Sequence, residues 1–241
     1  MESQILITIC ARGGSKGIPG KNIKIINEYP LIAYTIKIAN EFAKKYKCLI
    51  SLSTDDFVIK ETAEKFGLKS NYMRPDYLGS DTAGKIDVIL DLLKYEEEKS
   101  NINFDIILDL DVTSPLRTIE DLEQAYFIFS KNKEALTIFS VNPSNRSPYF
   151  NMVERNEEGF YELSKKLDAS ILTRQSSPSV YDLNASFYFY RRRYFDLGLK
   201  SPITNKSLIY EMKHICFDLD HTEDFEYLAY LLKYDKLNFK I

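Results

Sequence analysis

The 241-residue chain contains only three cysteines and two histidines. Cys10, Cys48 and Cys216 lie in or beside apolar runs, with no CxxC and no metal-ligand spacing, so they are expected to be reduced, buried thiols rather than disulfides or ligands. His214 and His221 alone exclude a His-rich zinc site. No apolar run approaches the roughly 18 residues that a membrane span needs. The N-terminus lacks the basic, apolar and small-residue order of a signal peptide, and a cytoplasmic protein is expected. Acidic residues are absent from Ser3 to Asn27, where Arg12, Lys16, Lys21 and Lys24 stand unopposed in sequence. The whole chain carries a net charge of −3. That balance argues against nucleic-acid binding, while the local cationic stretch suits a small anionic ligand.

What is present is ordinary for a globular fold, with 44% hydrophobic and 28% charged residues. Apolar runs alternate with amphipathic stretches. Strands are expected at 5–10, 48–54, 105–111, 135–141, 186–192 and 214–220. Helices are expected at 30–46, 55–67, 82–99, 119–132 and 222–235, the last with Thr222 as N-cap. Strands alternating with helices of this length predict an α/β fold with a mainly parallel sheet. Residues 142–182 break the alternation, being richer in Pro, Ser and Asn. They read as an excursion within a single domain spanning 1–241.

Four unusual loops follow predicted strands: "ARGGSKG", "STDD", "DLDVTSPLR" and "DLDHTED". Ligands bind where such loops gather, outside the carboxyl ends of the strands. The first matches neither the GxxxxGK[ST] phosphate loop nor the GxGxxG dinucleotide loop. Its glycines, Gly13, Gly14 and Gly17, can still turn backbone N–H groups toward an anion. Arg12, Lys16 and Lys21 add charge for phosphate oxygens. "DLD" occurs twice, as Asp109/Asp111 and Asp218/Asp220. Positions i and i+2 of a strand share a face, so each pair presents two carboxylates that want a cation between them. Hard oxygen ligands of this kind suit Mg²⁺. Arg174, Gln175 and Asn184 are donors able to grip a polar, carboxylate-bearing substrate.

Together these segments resemble the acylneuraminate cytidylyltransferases, the CMP-sialic acid synthetases. The resemblance rests on "ARGGSKGIPGKN", "PLIAYTI", "STDD", "RPDYLGSDTA", "TSPLR", "NASFYFY" and "FDLDHTEDF", in family order over nearly the whole chain. It implies a Rossmann-like sheet with helices on both faces, of the nucleotide-diphospho-sugar transferase type, with a protruding dimerisation arm at 142–182 and a homodimer. It implies CTP and an acidic nine-carbon sugar as substrates and Mg²⁺ as cofactor. It places Ala11, Arg12, Gly13, Ser15, Lys16, Lys21, Asn22, Arg74 and Ala83 around the nucleotide. Arg12, Lys16, Lys21, Asp111 and Asp220 fall to catalysis, and Asp218 and Asp220 to the metal. Asp111, Arg174, Gln175, Asp182, Asn184 and Tyr188 would surround the sugar. Asp111 stands where the family usually has Gln, and Asp182 where bacterial members commonly have Arg. Both departures argue for a sugar other than N-acetylneuraminate, and "TRQSSPSVYDLNAS" looks like the branch that activates legionaminic acid. N-acetylneuraminate, pseudaminate or Kdo remain alternative acceptors. A non-catalytic nucleotide-binding protein or a DxD glycosyltransferase are alternatives of other classes.

Overall fold

The computed structural model describes residues 3–14, 17–80, 82–167 and 173–241. In chain order it contains β1 (Ile5–Cys10), the short strands β2 (Ile25–Ile26) and β3 (Tyr29–Pro30), α1 (Leu31–Ala43), β4 (Cys48–Ser53), α2 (Phe57–Lys65), α3 (Asp76–Gly79) and α4 (Lys85–Ser100). There follow β5 (Ile106–Asp111), α5 (Ile119–Lys131), β6 (Thr137–Pro143), β7 (Val153–Arg155), β8 (Tyr161–Leu163), β9 (Tyr181–Arg191), α6 (Arg192–Asp196), β10 (Ser207–Glu211) and α7 (Thr222–Lys233).

Six strands form one sheet in the order β10-β6-β9-β5-β1-β4. All its pairings are parallel except those of β9, which runs antiparallel to both β5 and β6. "ILITI" and "IILDL" are nearly continuous apolar runs because helices cover both faces of the strands that carry them. Ile7, Ile9, Leu108, Phe187 and Phe189 pack under α1, α5 and α7. Leu6, Ile107 and Tyr190 face α4 and α6. Helix starts are set by local chemistry. Asp56 caps α2 by accepting from the Val58 and Ile59 amides. Thr118 and Asp121 form a reciprocal capping box at α5.

The predicted strand at 214–220 is not a strand, and the sheet edge is taken by β10 instead. After Glu211 the chain leaves the sheet and crosses the strand ends. The Leu219 N–H then bonds the Thr113 carbonyl at 2.9 Å, a loop partner rather than a ladder partner. The alternation in "FDLD" therefore reflects Leu219 anchored in the core, fully buried, between two polar neighbours. The α7 N-cap is His221, with Asp224 as its partner, one residue before the expected Thr222.

Strand β9 carries an irregularity beside the site. Its pairing with β6 jumps from Phe139↔Tyr188 to Val141↔Leu183. Ala185 sits in the left-handed region at φ 57° within that jump, the mark of a bulge that redirects side chains near a functional edge. Between β6 and β9 the chain leaves the sheet, and β7 and β8 pair only with each other. Phe160 and Tyr161 at that hairpin are exposed. Among the described residues, no helix is long and apolar enough to cross a membrane.

Candidate functional site

The carboxyl ends of β1, β4 and β5 lie side by side, so the loops that follow them meet. The loop after β1 is held by the one after β4. The Gly13 amide donates to Asp55 Oδ1 at 2.8 Å. A Cβ on Gly13 would fall 2.6 Å from Asp56 Oδ2, so only glycine fits there. The expected role of the Gly13 amide in binding an anion is thereby corrected, because that N–H is already committed to Asp55. Ala11 is likewise internal, buried in the core with its amide on the Ser53 carbonyl. Asn22 is buried and donates to the Arg12 carbonyl at 2.9 Å, which braces the same loop. Ser15 and Lys16 lie outside the described residues.

A cavity of about 310 Å³ opens above these strand ends. Arg12, Lys21, Asn22, Arg74, Ala83 and Asp111 all line it, so six of the expected nucleotide and catalytic residues come together. Arg74 is buried and fixed by Ser53, through Nε to Oγ at 3.0 Å and Nη2 to the carbonyl at 2.8 Å.

The structure supplies a cation to the Asp109/Asp111 pair from within the chain. The Lys85 ammonium, in the first turn of α4, lies 2.8 Å from Asp111 Oδ2 and 3.2 Å from Asp109 Oδ2. Asp109 is buried, and its Oδ1 accepts from Thr8 Oγ1 at 2.8 Å. Asp111 Oδ1 accepts from both the amide and the hydroxyl of Thr113. Burial alone would raise the Asp111 carboxyl, but Lys85 and the two Thr113 donors outweigh it and hold it at about 2. Burial opposes the Lys85 charge too, yet Asp109 and Asp111 raise its proton affinity well above the ordinary value. Asp111 is thereby held toward its ionised form and is a poor proton acceptor. Sequence reasoning missed Lys85 because a lone lysine at the start of an amphipathic helix looks like a solvated charge. The only available signal was the demand of two neighbouring acids for a cation.

Asp218 and Asp220 are brought to the same edge by the irregular segment after Met212. Lys21 ties that segment down, donating to the Leu219 carbonyl at 2.6 Å and lying 3.6 Å from Asp220 Oδ1. A Cβ on Gly17 would stand 2.6 Å from the Asp220 carbonyl, so the two loops touch backbone to backbone. Ser114 Oγ donates to the Asn184 carbonyl at 2.5 Å and lies 3.2 Å from the Phe217 carbonyl. His214 joins the segment to α5, with Nε2 2.8 Å from Asp121 Oδ2 and Nδ1 3.0 Å from the Ile215 carbonyl. Asp218 is raised chiefly by burial, with Asp111 and Asp220 adding to it and Thr113 and Lys21 opposing.

The residues expected around the sugar do not all converge. Tyr188 does, being paired with Asp109 across the sheet. Its phenol is pushed up to about 12 by burial and then by Asp111, with Lys85 opposing. Asn184 is buried and committed inward, donating to Asn142 Oδ1 and accepting from Ser140 Oγ and the Ser186 amide. Asp182 is exposed on β9 opposite Asn142. Gln175 lines a separate cavity of about 370 Å³ beside Arg146 and Tyr181. The Arg174 side chain lies outside what the structure describes.

One further arginine organises the site from beneath. Arg117 is 1% exposed. It donates to the carbonyls of Ser114, Ser186 and Asp111 and to Thr35 Oγ1.

Comparison with known proteins places the chain in a family. A cytidylyltransferase family model matches residues 6–237. The chain is 38% identical to the post-translational flagellin modification protein B of Campylobacter coli, over 99% of each chain. It is 36% identical to the CMP-N,N'-diacetyllegionaminic acid synthase of Campylobacter jejuni subsp. jejuni serotype O:2, over 98% of each. In fold it is similar to a CMP:2-keto-3-deoxy-manno-octonic acid synthetase solved in complex with CTP, with a TM-score of 0.67 and 17% identity, covering 97% of this chain and all of that one. The cavity that gathers a cationic loop and an acid–lysine cluster, with Asp220 tied to its edge through Lys21, thus occurs in a chain that belongs to the cytidylyltransferase family.

Proposed function

We propose that the protein activates an acidic nonulosonic sugar of the N,N'-diacyllegionaminic type, transferring the cytidylyl group of CTP to the sugar's anomeric hydroxyl. The observation that carries this reading is the acid at position 111 in the cavity, held ionised by Lys85. A relative named for CMP-N,N'-diacetyllegionaminic acid synthesis, similar over nearly all of both chains, supports it.

In the reaction the sugar oxygen forms a bond to the α-phosphorus, the bond from that phosphorus to the bridging oxygen breaks, and pyrophosphate leaves with its electrons. The hydroxyl proton passes to water as the new bond forms. Negative charge builds on the phosphate oxygens, so catalysis consists largely of positioning and electrostatic stabilisation. Arg12 and Lys21 supply charge from the loop side of the cavity. Lys21 also keeps the loop bearing Asp220 against the phosphate side. Mg²⁺ belongs to this proposal, with Asp218 and Asp220 as its carboxylates. Among the described residues no cluster of three or more ligating side chains exists. Two carboxylates fit an ion that completes its shell with water and substrate phosphates, and the mutual repulsion around Asp218 is the charge such an ion relieves. When bound, it would neutralise charge on the phosphate oxygens. The hairpin of β7 and β8, with Phe160 and Tyr161 exposed, is proposed as the contact of a homodimer.

The test is pyrophosphate release from CTP with a panel of legionaminate, pseudaminate, N-acetylneuraminate and Kdo. The expected order puts N,N'-diacyllegionaminate first. Preferential turnover of another acid sugar overturns the acceptor assignment, and no release with any of them overturns cytidylyl transfer.

A further inference from the structure

Lys85 is clamped in a way that a purely structural lysine is not. Its side chain keeps 40% of its surface exposed and lines the cavity, while Asp109, one of its partners, is buried. Its ammonium hydrogen-bonds Asp111 at 2.8 Å. Toward Asp109 it lies at 3.2 Å, yet Asp109 Oδ2 has no aligned hydrogen bond. The cation is thus seated on the cavity side of the acid pair.

The lone pairs of Asp111 tell what is left for a ligand. Thr113 supplies two donors to Oδ1, and Lys85 supplies one to Oδ2. A carboxylate offers about four acceptor positions, so Oδ2 retains one toward the cavity, where Asp111 is 21% exposed. The place beside it that a second cation would take is already filled by Lys85.

Sheet order puts this pair on the flank away from Arg74. Asp111 ends β5, whose neighbours are β1, carrying the Arg12 loop, and β9, carrying Tyr188. Arg74 is fixed to β4, beyond β1. Lys85 and Asp111 share the cavity with Arg74 and Ala83, and Tyr188, paired with Asp109 across the sheet, brings the expected sugar side of the site up to the same acids.

We propose that Lys85 is an acceptor-selecting residue, whose ammonium fills the cation position beside Asp111 so that the pocket takes an uncharged acylamino N–H and rejects the corresponding free, protonated amine. This inference rests on the cytidylyl-transfer reading above. Selection works by repulsion as much as by contact. An acylamino N–H donates to Asp111 Oδ2 without adding charge. A substrate ammonium would meet the Lys85 ammonium within a few ångströms.

The experiment compares kcat/KM for an N-acylated nonulosonic acid and for its de-N-acylated amine in wild type, Lys85→Met and Lys85→Arg, with KM for CTP measured in parallel. In Lys85→Met the acids are left without their cation and the substrate amine can replace it. The acyl-over-amine ratio should fall by about tenfold or more, the scale of one charge-assisted hydrogen bond, and any common change in CTP binding cancels in that ratio. Lys85→Arg retains the charge and should retain the preference. Should Lys85→Met fail to fold, the double variant Lys85→Met/Asp109→Asn removes the buried unpaired acid and carries the same expectation. An unchanged ratio in a folded variant overturns the inference alone, as does a rise confined to KM for CTP. A wild-type enzyme that releases no pyrophosphate with any acceptor overturns the underlying reaction and the inference with it.

Discussion

The two flanks of the cavity are built by different means. On the β1–β4 side, loops leave regular parallel strands and are held by short contacts between neighbouring strand ends, such as Gly13 to Asp55 and Arg74 to Ser53. On the opposite side, β9 is antiparallel and bulged, and the acids ride on a segment with no regular structure, pinned by partners far away in sequence. Asp218 and Asp220 hold their places through Thr113, Ser114, Lys21 and His214. The first flank suits a ligand part that is always the same, a triphosphate. On the second, the bulged β9 side can be altered without disturbing the parallel strands, while the segment of Asp218 and Asp220 is tied back to the first flank by Lys21.

Arg117 joins the flanks, so its loss should have the largest effect. Arg117→Met leaves the carbonyls of Ser114, Ser186 and Asp111 without their buried donor. A loss of about 3–5 kcal/mol in denaturant unfolding is expected. Lysine should not rescue it, because one ammonium cannot reproduce the guanidinium fork. A variant as stable as wild type would show that the flanks hold independently.

Asp220→Asn comes next. Its side chain is 67% exposed, so the fold should stand while turnover falls by about two to three orders of magnitude, the scale of a lost transition-state electrostatic contact. Wild-type kcat at saturating Mg²⁺ would remove Asp220 from the site.

Gly17→Ala probes the seam between the flanks. The added Cβ must push the Asp220 carbonyl away, at a cost of about 1–3 kcal/mol. The expected readout is a raised Mg²⁺ requirement with a smaller loss of thermal stability. An unaltered Mg²⁺ titration would mean that the loops do not need to touch.

The smallest effect is a pH dependence at His214. Burial lowers its proton affinity, but Asp121 and the Ile215 carbonyl raise it overall above the ordinary 6.5. The folded protein therefore holds this proton more tightly than the unfolded chain. The contribution is complete below pH 6.5 and is lost as pH rises through the higher folded value. Thermal stability should decline on that alkaline side, and His214→Gln should flatten the decline. An identical pH profile in the variant would deny the latch.

Much of the β1–β4 flank could be read before folding. "ILITIC" and "CLISLS" announce buried strands by apolar continuity, and the loop with Arg12 and Lys21 announces an anion by charge. The β9 flank was harder to read. "HICFDLD" looks like a strand because a loop that inserts one leucine between two acids has the same alternation as a pleat. "SLIYE" drew no expectation, because an edge strand only five residues long is a weak pattern. Asn184 looked like a ligand donor, and only its distance from Asn142, Ser140 and Ser186 in space shows it to be a brace.

Lys85 marks the boundary between the two kinds of knowledge. The amino-acid sequence by itself determined the alternating α/β architecture, the cationic loop and the presence of two acid pairs, because periodicity and local charge act over a few residues. Only the tertiary structure decided which cation answers which acids. Lys85 lies 24 and 26 residues from Asp109 and Asp111, and Lys21 lies 198 from the carbonyl it grips beside Asp220. Charges pair by distance in space, and distance in space is set by how the helices pack on the sheet.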